Sequence, residues 1–188
     1  MRYINYLLLA VALGALQGCF PVVATGVGAG ALMAADRRTT GTYIEDEGIE
    51  NKAISQISAK YKNASHVNVT SYNRYVLITG EVPNEETKTG IGQIVAGVPN
   101  VKAVSNELVL SGTTGFTSRS SDSLITADIK LRFLNNQVFQ AEHVKVITEN
   151  GTVFLMGLVY HKEAEAATEI ASTTGGVLRV VKVFEYLD

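Results

Sequence analysis

The 188-residue sequence predicts an α+β protein made of two tandem copies of one αββαβ unit, each a three-stranded mixed sheet with two helices on one face. Three observations carry that prediction. Blocks of residues recur at a nearly constant offset through most of the chain. Within each block the apolar spacing switches between a helical and a strand period. Turn and capping residues stand where the period changes.

The repeat comes first. Ile49, Ala53 and Ile57 align with Ile125, Ile129 and Phe133 at an offset of 76. His66-Val67-x-Val69 and Asn73-Arg74-Tyr75-Val76-Leu77-Ile78-Thr79-Gly80-x-Val82 align with His143-Val144-x-Val146 and Asn150-Gly151-Thr152-Val153-Phe154-Leu155-Met156-Gly157-x-Val159 at 77. Ile94, Val101 and Val104 align with Ile170, Val177 and Val180 at 76 again.

Each half opens with a helix, apolar at i, i+4 and i+8. Residues 144–147 and 153–159 are two strands rich in β-branched residues, joined by Asn150-Gly151, which accepts the positive φ angles of a type I′ hairpin turn. Asn73-Arg74 fills that place in the first half and is a weaker turn pair. A second helix follows in each half. One starts at Pro83-Asn84-Glu85-Glu86, with acidic side chains near its N-terminus, and the other spans residues 162–172. Gly97 and Gly175-Gly176 stop these helices. Residues 102–110 and 177–186 are the closing strands, and the order packs two helices on one face of a small sheet. The Ser-, Thr- and Gly-rich stretch 111–121 holds the linker, assigned to 115–120 between domains at 45–114 and 121–188.

Ahead of the repeats stand a charged start (Met1-Arg2), an apolar run over residues 6–16, and Leu16-Gln17-Gly18-Cys19. This is the layout of a secretory signal peptide, residues 1–18. Leu-x-Gly-Cys resembles the lipobox of bacterial lipoproteins, which makes Cys19 the acylated first residue of the mature chain. The run is short for a membrane span, which needs roughly 20 residues. Cys19 is the only cysteine, so it has no disulfide partner within the chain. Phe20 after the cysteine, where aspartate is absent, fits the sorting of lipoproteins to the outer membrane in enterobacteria. Residues 19–44 form the lipidated N-terminal segment. Its small, apolar part (20–35) lacks helical periodicity, and residues 36–42 are a polar lead into the first domain.

Loss of residues 1–18 leaves about 170 residues, with about 15 basic against 18 acidic. That balance excludes nucleic acid as a partner, because such binding needs a strongly basic face. It also excludes wholesale electrostatic adhesion to an anionic membrane.

The strand Val153-Phe154-Leu155-Met156-Gly157-Leu158-Val159, the Ala-rich helix after it and the closing Gly176-Val177-Leu178-Arg179-Val180 resemble the BON domain. Two such domains behind a lipobox are similar to a dual-BON outer-membrane lipoprotein. The resemblance implies a non-catalytic protein on the periplasmic face. It implies binding of anionic phospholipid, such as phosphatidylglycerol, through the first helix of the second domain. Support of envelope integrity at the division site is implied as well.

That helix can be read without the family. In residues 124–134, Ile125, Ile129 and Phe133 share an arc of about 80° that packs on the sheet. Leu124, Ala127, Leu131 and Leu134 form a second, roughly opposite arc. Lys130 and Arg132 lie in the intervals, and Asp128 lies beside Leu124. The expected phospholipid-binding residues are therefore Leu124, Ala127, Lys130, Leu131 and Leu134. In the first domain Asn51, Lys52, Ser55 and Lys60 dominate outside the inward face. Where the family's best-known member has an exposed tryptophan at the start of this helix, this chain has Leu124, and Asp128 stands in place of a basic residue. The second stripe has an alternative use as packing against the first domain, or as the dock of an envelope protein partner. Its burial separates the first of these from the rest.

No cofactor is expected beyond the lipid on Cys19, and no metal. His66 and His143 occupy repeat-equivalent positions on different domains, and His161 starts a helix, so they do not converge as metal ligands must. Glu163, Glu165 and Glu169 are expected as a solvated helix face, without a nucleophile–base constellation. Gly26-x-Gly28-x-Gly30 lacks the strand before it and the Lys-Ser/Thr helix after it that a phosphate loop requires.

Overall fold

The computed structural model describes residues 36–62, 66–110 and 116–188, with the side chains of 116–119 left aside. Leu16-Gln17-Gly18-Cys19, Phe20 and Gly26-x-Gly28-x-Gly30 lie outside the described residues. The described residues belong to one compact unit.

The first half runs α1 (Thr40–Lys60), β1 (Val67–Tyr72), β2 (Tyr75–Val82), α2 (Glu85–Ala96), β3 (Ala103–Asn106) and β4 (Val109–Leu110). The second runs α3 (Phe116–Leu134), a 3₁₀ turn (Ala141–His143), β5 (Val144–Glu149), β6 (Thr152–Val159), α4 (His161–Ser172) and β7 (Arg179–Tyr186). Both halves are α+β, with the αββαβ order expected. β1 and β2 pair antiparallel from Val67↔Gly80 to Tyr72↔Tyr75, and β5 and β6 from Val144↔Gly157 to Glu149↔Thr152. β7 lies parallel to β6 along its whole length.

The first half departs at its closing strand. β3 and β4 both pair parallel with β2, so this sheet has four strands, not three. The break falls at Glu107-Leu108. The Asn106 side-chain amide donates to the Lys88 carbonyl, and its oxygen accepts from the Leu108 N–H. That local bonding competes with the ladder, and Leu108 turns into the core.

Helices begin earlier than the apolar pattern indicates. α1 starts at Thr40, where the Thr39 hydroxyl accepts the Thr42 N–H at 3.1 Å. α3 starts at Phe116, inside the stretch assigned to the linker. Polar residues can extend a helix from its N-terminus without an apolar stripe, so periodicity alone misses those turns. α2 starts within Pro83-Asn84-Glu85-Glu86 as expected, and the Asn84 side chain caps it by accepting the Thr87 N–H at 2.9 Å. α4 ends in a cap at Thr173 and not at Gly175-Gly176; Gly176, at φ +85°, then turns the chain toward β7.

Each sheet is covered on both faces. Val76, Ile78 and Val82 of β2 pack under α1 and α2 with Ile49, Ala53 and Ile57. Val153, Leu155 and Val159 of β6 pack under α3 and α4 with Ile125, Ile129 and Phe133. The alternate residues face the other way, as the period-2 pleat requires. Tyr72 and Leu77 meet Phe154, Met156, Ile147, Leu158, Val181 and Val183, so the two sheets pack back to back. The layers are helices, sheet, sheet, helices. Gly80 and Gly157 serve the hairpins equally: a Cβ at either would strike the carbonyl of His66 or His143 on the paired strand.

Candidate functional site

Two buried carboxylates set the first helix of each half against its hairpin. Asp46 accepts the N–H groups of Asn73 (2.8 Å) and Arg74 (2.7 Å). Asp122, its repeat equivalent, accepts those of Asn150 and Gly151, both at 2.8 Å. These are the amides that a type I′ turn points away from the ladder, and a carboxylate accepting two of them is a strong anchor. The weaker pair Asn73-Arg74 does adopt the turn, at φ +52° and +68°. With Asp122 holding the turn and Ile125, Ile129 and Phe133 in the core, the rotation of α3 about its axis is fixed.

That rotation leaves the second stripe open. Leu124 is 73% exposed, Leu131 60% and Leu134 65%, and Ala127 and Lys130 are exposed with them. The first domain does not cover them, because it packs on the back of the second sheet. From Leu124 to Leu134, ten rises along the helix, the stripe extends about 15 Å. Asp128 and Lys130 flank it, both exposed. Arg132 does not join them. Its guanidinium donates to the Ile170 carbonyl (2.8 Å) and to the hydroxyls of Thr174 and Thr173, tying α3 to the C-terminal end of α4. Each is a group that a helix end leaves without an intrahelical partner or that lies beside one. Within residues 124–134 Lys130 is therefore the cation left at the stripe's border.

A second polar centre lies where residues 36–38 enter the fold, and apolar periodicity gives no sign of it. Arg37 forms a bidentate pair with Glu163 (2.6 and 2.7 Å) and donates to the Leu158 carbonyl at 2.8 Å. Arg38 lies 3.9 Å over the Tyr72 ring and binds Asp36 and Asp46. Residues 36–38, expected as a lead-in, thus join the two domains. Glu163 is correspondingly not part of a solvated face. It is buried, accepts the Tyr160 N–H at the start of α4, and lies 3.9 Å from His143. The Arg37 guanidinium holds its carboxyl below the usual glutamate range. Burial pushes the Asp36 carboxyl up, but hydrogen bonds and charge from Arg38 outweigh it and hold the group low. Burial, with Asp36 beside it, pushes the Tyr72 phenol up to about 12.

Asn68–Glu149, Asn73–Glu185, Lys102–Glu185 and Lys145–Glu50 contacts also cross between the domains. His161 pairs with Asp188 at 2.7 Å and stacks on Tyr186. Among the described residues no group of three or more His, Cys, Asp or Glu is placed to hold a metal, and no helix is long and apolar enough to cross a membrane.

The BON domain model matches residues 45–112 and 121–188. Outer membrane lipoprotein DolP of Haemophilus influenzae is 43% identical over 185 residues, covering 96% of each chain. The 21 kDa hemolysin of Actinobacillus pleuropneumoniae is 37% identical over 154 residues, covering 81% of this chain and 79% of that one. Osmotically-inducible protein Y of Escherichia coli is 25% identical over 175 residues, covering 91% and 87%. Together with the duplicated αββαβ fold, these matches show that the chain belongs to the BON-domain family, among its two-domain outer-membrane lipoproteins.

Proposed function

We propose that this is a non-catalytic lipoprotein, anchored by a lipid on Cys19. A second, reversible contact with anionic phospholipid is made through Leu124, Ala127, Lys130, Leu131 and Leu134. The observation that carries the proposal is the exposure of three leucines on one face of a helix whose other face is fully committed to the core. A fully buried leucine contributes roughly 1.5–3 kcal/mol, so two or three inserted together give usable, reversible membrane affinity. Lys130 adds about 1 kcal/mol against an anionic surface. A weak contact on a tethered domain gains from effective concentration, so it forms where its lipid is enriched. Support of envelope integrity at the division site follows from the family resemblance and is proposed on that footing.

The test is titration of residues 36–188, without the anchor, with phosphatidylglycerol micelles. NMR shifts should move along α3, and Leu131→Glu with Leu134→Glu should abolish them. Unchanged shifts along the wild-type helix would refute the proposal. Shifts produced there by an envelope protein and not by lipid would favour an adaptor role.

A further inference from the structure

Leu178, on the loop from α4 into β7, is 82% exposed, more than any other large apolar side chain among the described residues. Its backbone is nonetheless fixed, because its N–H donates to the Gly151 carbonyl at 2.8 Å. Its side chain leans over the β5–β6 hairpin tip, close enough that a Cβ at Gly151 would meet its Cγ and Cδ1 at 2.9 Å. Gly151 is held by Asp122, two residues before Leu124. Gly176, two residues before Leu178, lies against Ile125, where an added Cβ would come within 3.1 Å of Cδ1. Leu178 therefore stands at the end of the second domain where α3 presents Leu124.

The repeat supplies an independent observation. The position equivalent to Leu178 in the first domain is Lys102, which pairs with Glu185 at 3.5 Å. Leu124, Ala127, Leu131 and Leu134 correspond to Gly48, Asn51, Ser55 and Ser58. At all five places the second domain is apolar where the first has a polar residue or glycine.

We infer that Leu178 is a further insertion point of the same lipid contact, so that the membrane meets the α3 stripe and the loop at 176–178 together. The inference rests on the proposed contact of α3. The occupant is the bilayer that carries the anchor. Sixteen residues, 20–35, separate Cys19 from the first described residue, a reach of at most about 60 Å even when extended. An apolar ridge held that close to a membrane meets lipid at high effective concentration.

The test uses the full-length acylated protein in nanodiscs of phosphatidylethanolamine and phosphatidylglycerol, with an environment-sensitive NBD label on Leu178→Cys. The natural cysteine is acylated, so the new thiol is the only one that reacts. Leu131→Cys reports the α3 stripe, and Ile54→Cys, on α1, is the solvent reference. Blue-shifted, brightened emission at 178 and 131, with a water-like spectrum at 54, is the expected result. A shift at 131 with none at 178 overturns this inference and leaves the α3 contact standing. No shift at either overturns both. A shift at 178 alone overturns the shared surface, and equal shifts at all three positions show unspecific adsorption and overturn it as well.

Discussion

α1 and α3 are the same helix used twice, and they differ most where folding leaves them free. Inward, Ile49, Ala53 and Ile57 match Ile125, Ile129 and Phe133, and each set is buried under its own sheet. Asp46 and Asp122 clamp equivalent hairpins with equivalent bonds. Outward, Gly48, Asn51, Ser55 and Ser58 face Leu124, Ala127, Leu131 and Leu134 across the repeat. The comparison teaches that a duplicated fold constrains one face of a helix through packing and leaves the other to acquire a task.

The strongest way to break this comparison is to exchange the outer faces. Leu131→Glu with Leu134→Glu removes two insertable side chains and should weaken vesicle binding on the order of a hundredfold, read by liposome co-sedimentation of residues 36–188. Both positions are exposed, so the urea midpoint should not fall. Gly48→Leu, Ser55→Leu and Ser58→Leu on that background should restore binding through α1; failure to do so would mean that the stripe alone is insufficient.

The clamps bear on stability where the outer faces bear on binding. Asp46→Ala strips the acceptor from two amides, the Ser71 hydroxyl and Arg38. It should cost about 4 kcal/mol in urea denaturation, against about 3 kcal/mol for Asp122→Ala, whose carboxylate among the described residues holds the two turn amides. Equal losses would show that the added partners of Asp46 contribute nothing.

Arg37→Ala should cost about 2 kcal/mol, because it leaves Glu163 largely buried without its guanidinium. The pH dependence has a definite sign. Glu163 is depressed in the folded state, so its contribution is complete above the usual glutamate pKa of about 4.3 and is lost as pH falls through the lower folded value. In Arg37→Ala that acid-labile component should shrink, since of the groups that lower the carboxyl the Tyr160 N–H and His143 remain.

The smallest effect concerns the hairpins. Arg74 sits at φ +68°, where its counterpart is Gly151. Arg74→Gly should stabilise the protein by about 0.5–1 kcal/mol, as relief of the left-handed conformation outweighs the added freedom of the unfolded chain. Thermal melting would show a rise of a few degrees.

The features legible in the sequence were those that repeat or alternate. The hairpins followed from β-branched runs around Asn-Gly, and the second stripe of α3 from a 100° projection. Asp46 and Asp122 escaped notice because a single acidic residue on a helix reads as solvated. Their common offset of 76 from one another, three positions before Ile49 and Ile125, was the available signal. Arg37 and Glu163 had none. They are separated by 126 positions, and Arg37 lies ahead of both repeats while Glu163 lies in the second, so only the tertiary packing brings them together. For Arg132 the charge was visible but not its engagement with α4, which depends on how the two helices cross.

The position of Arg37 and Arg38 has a mechanical consequence. The chain enters the folded unit through two neighbouring arginines, one engaged with Glu163 in the second domain and the other with Asp46 in the first. A load arriving along the backbone at Asp36 is therefore divided at once between both domains. The two domains therefore take that load together, and the orientation of the leucine ridge relative to residue 36 is set by these two ion pairs.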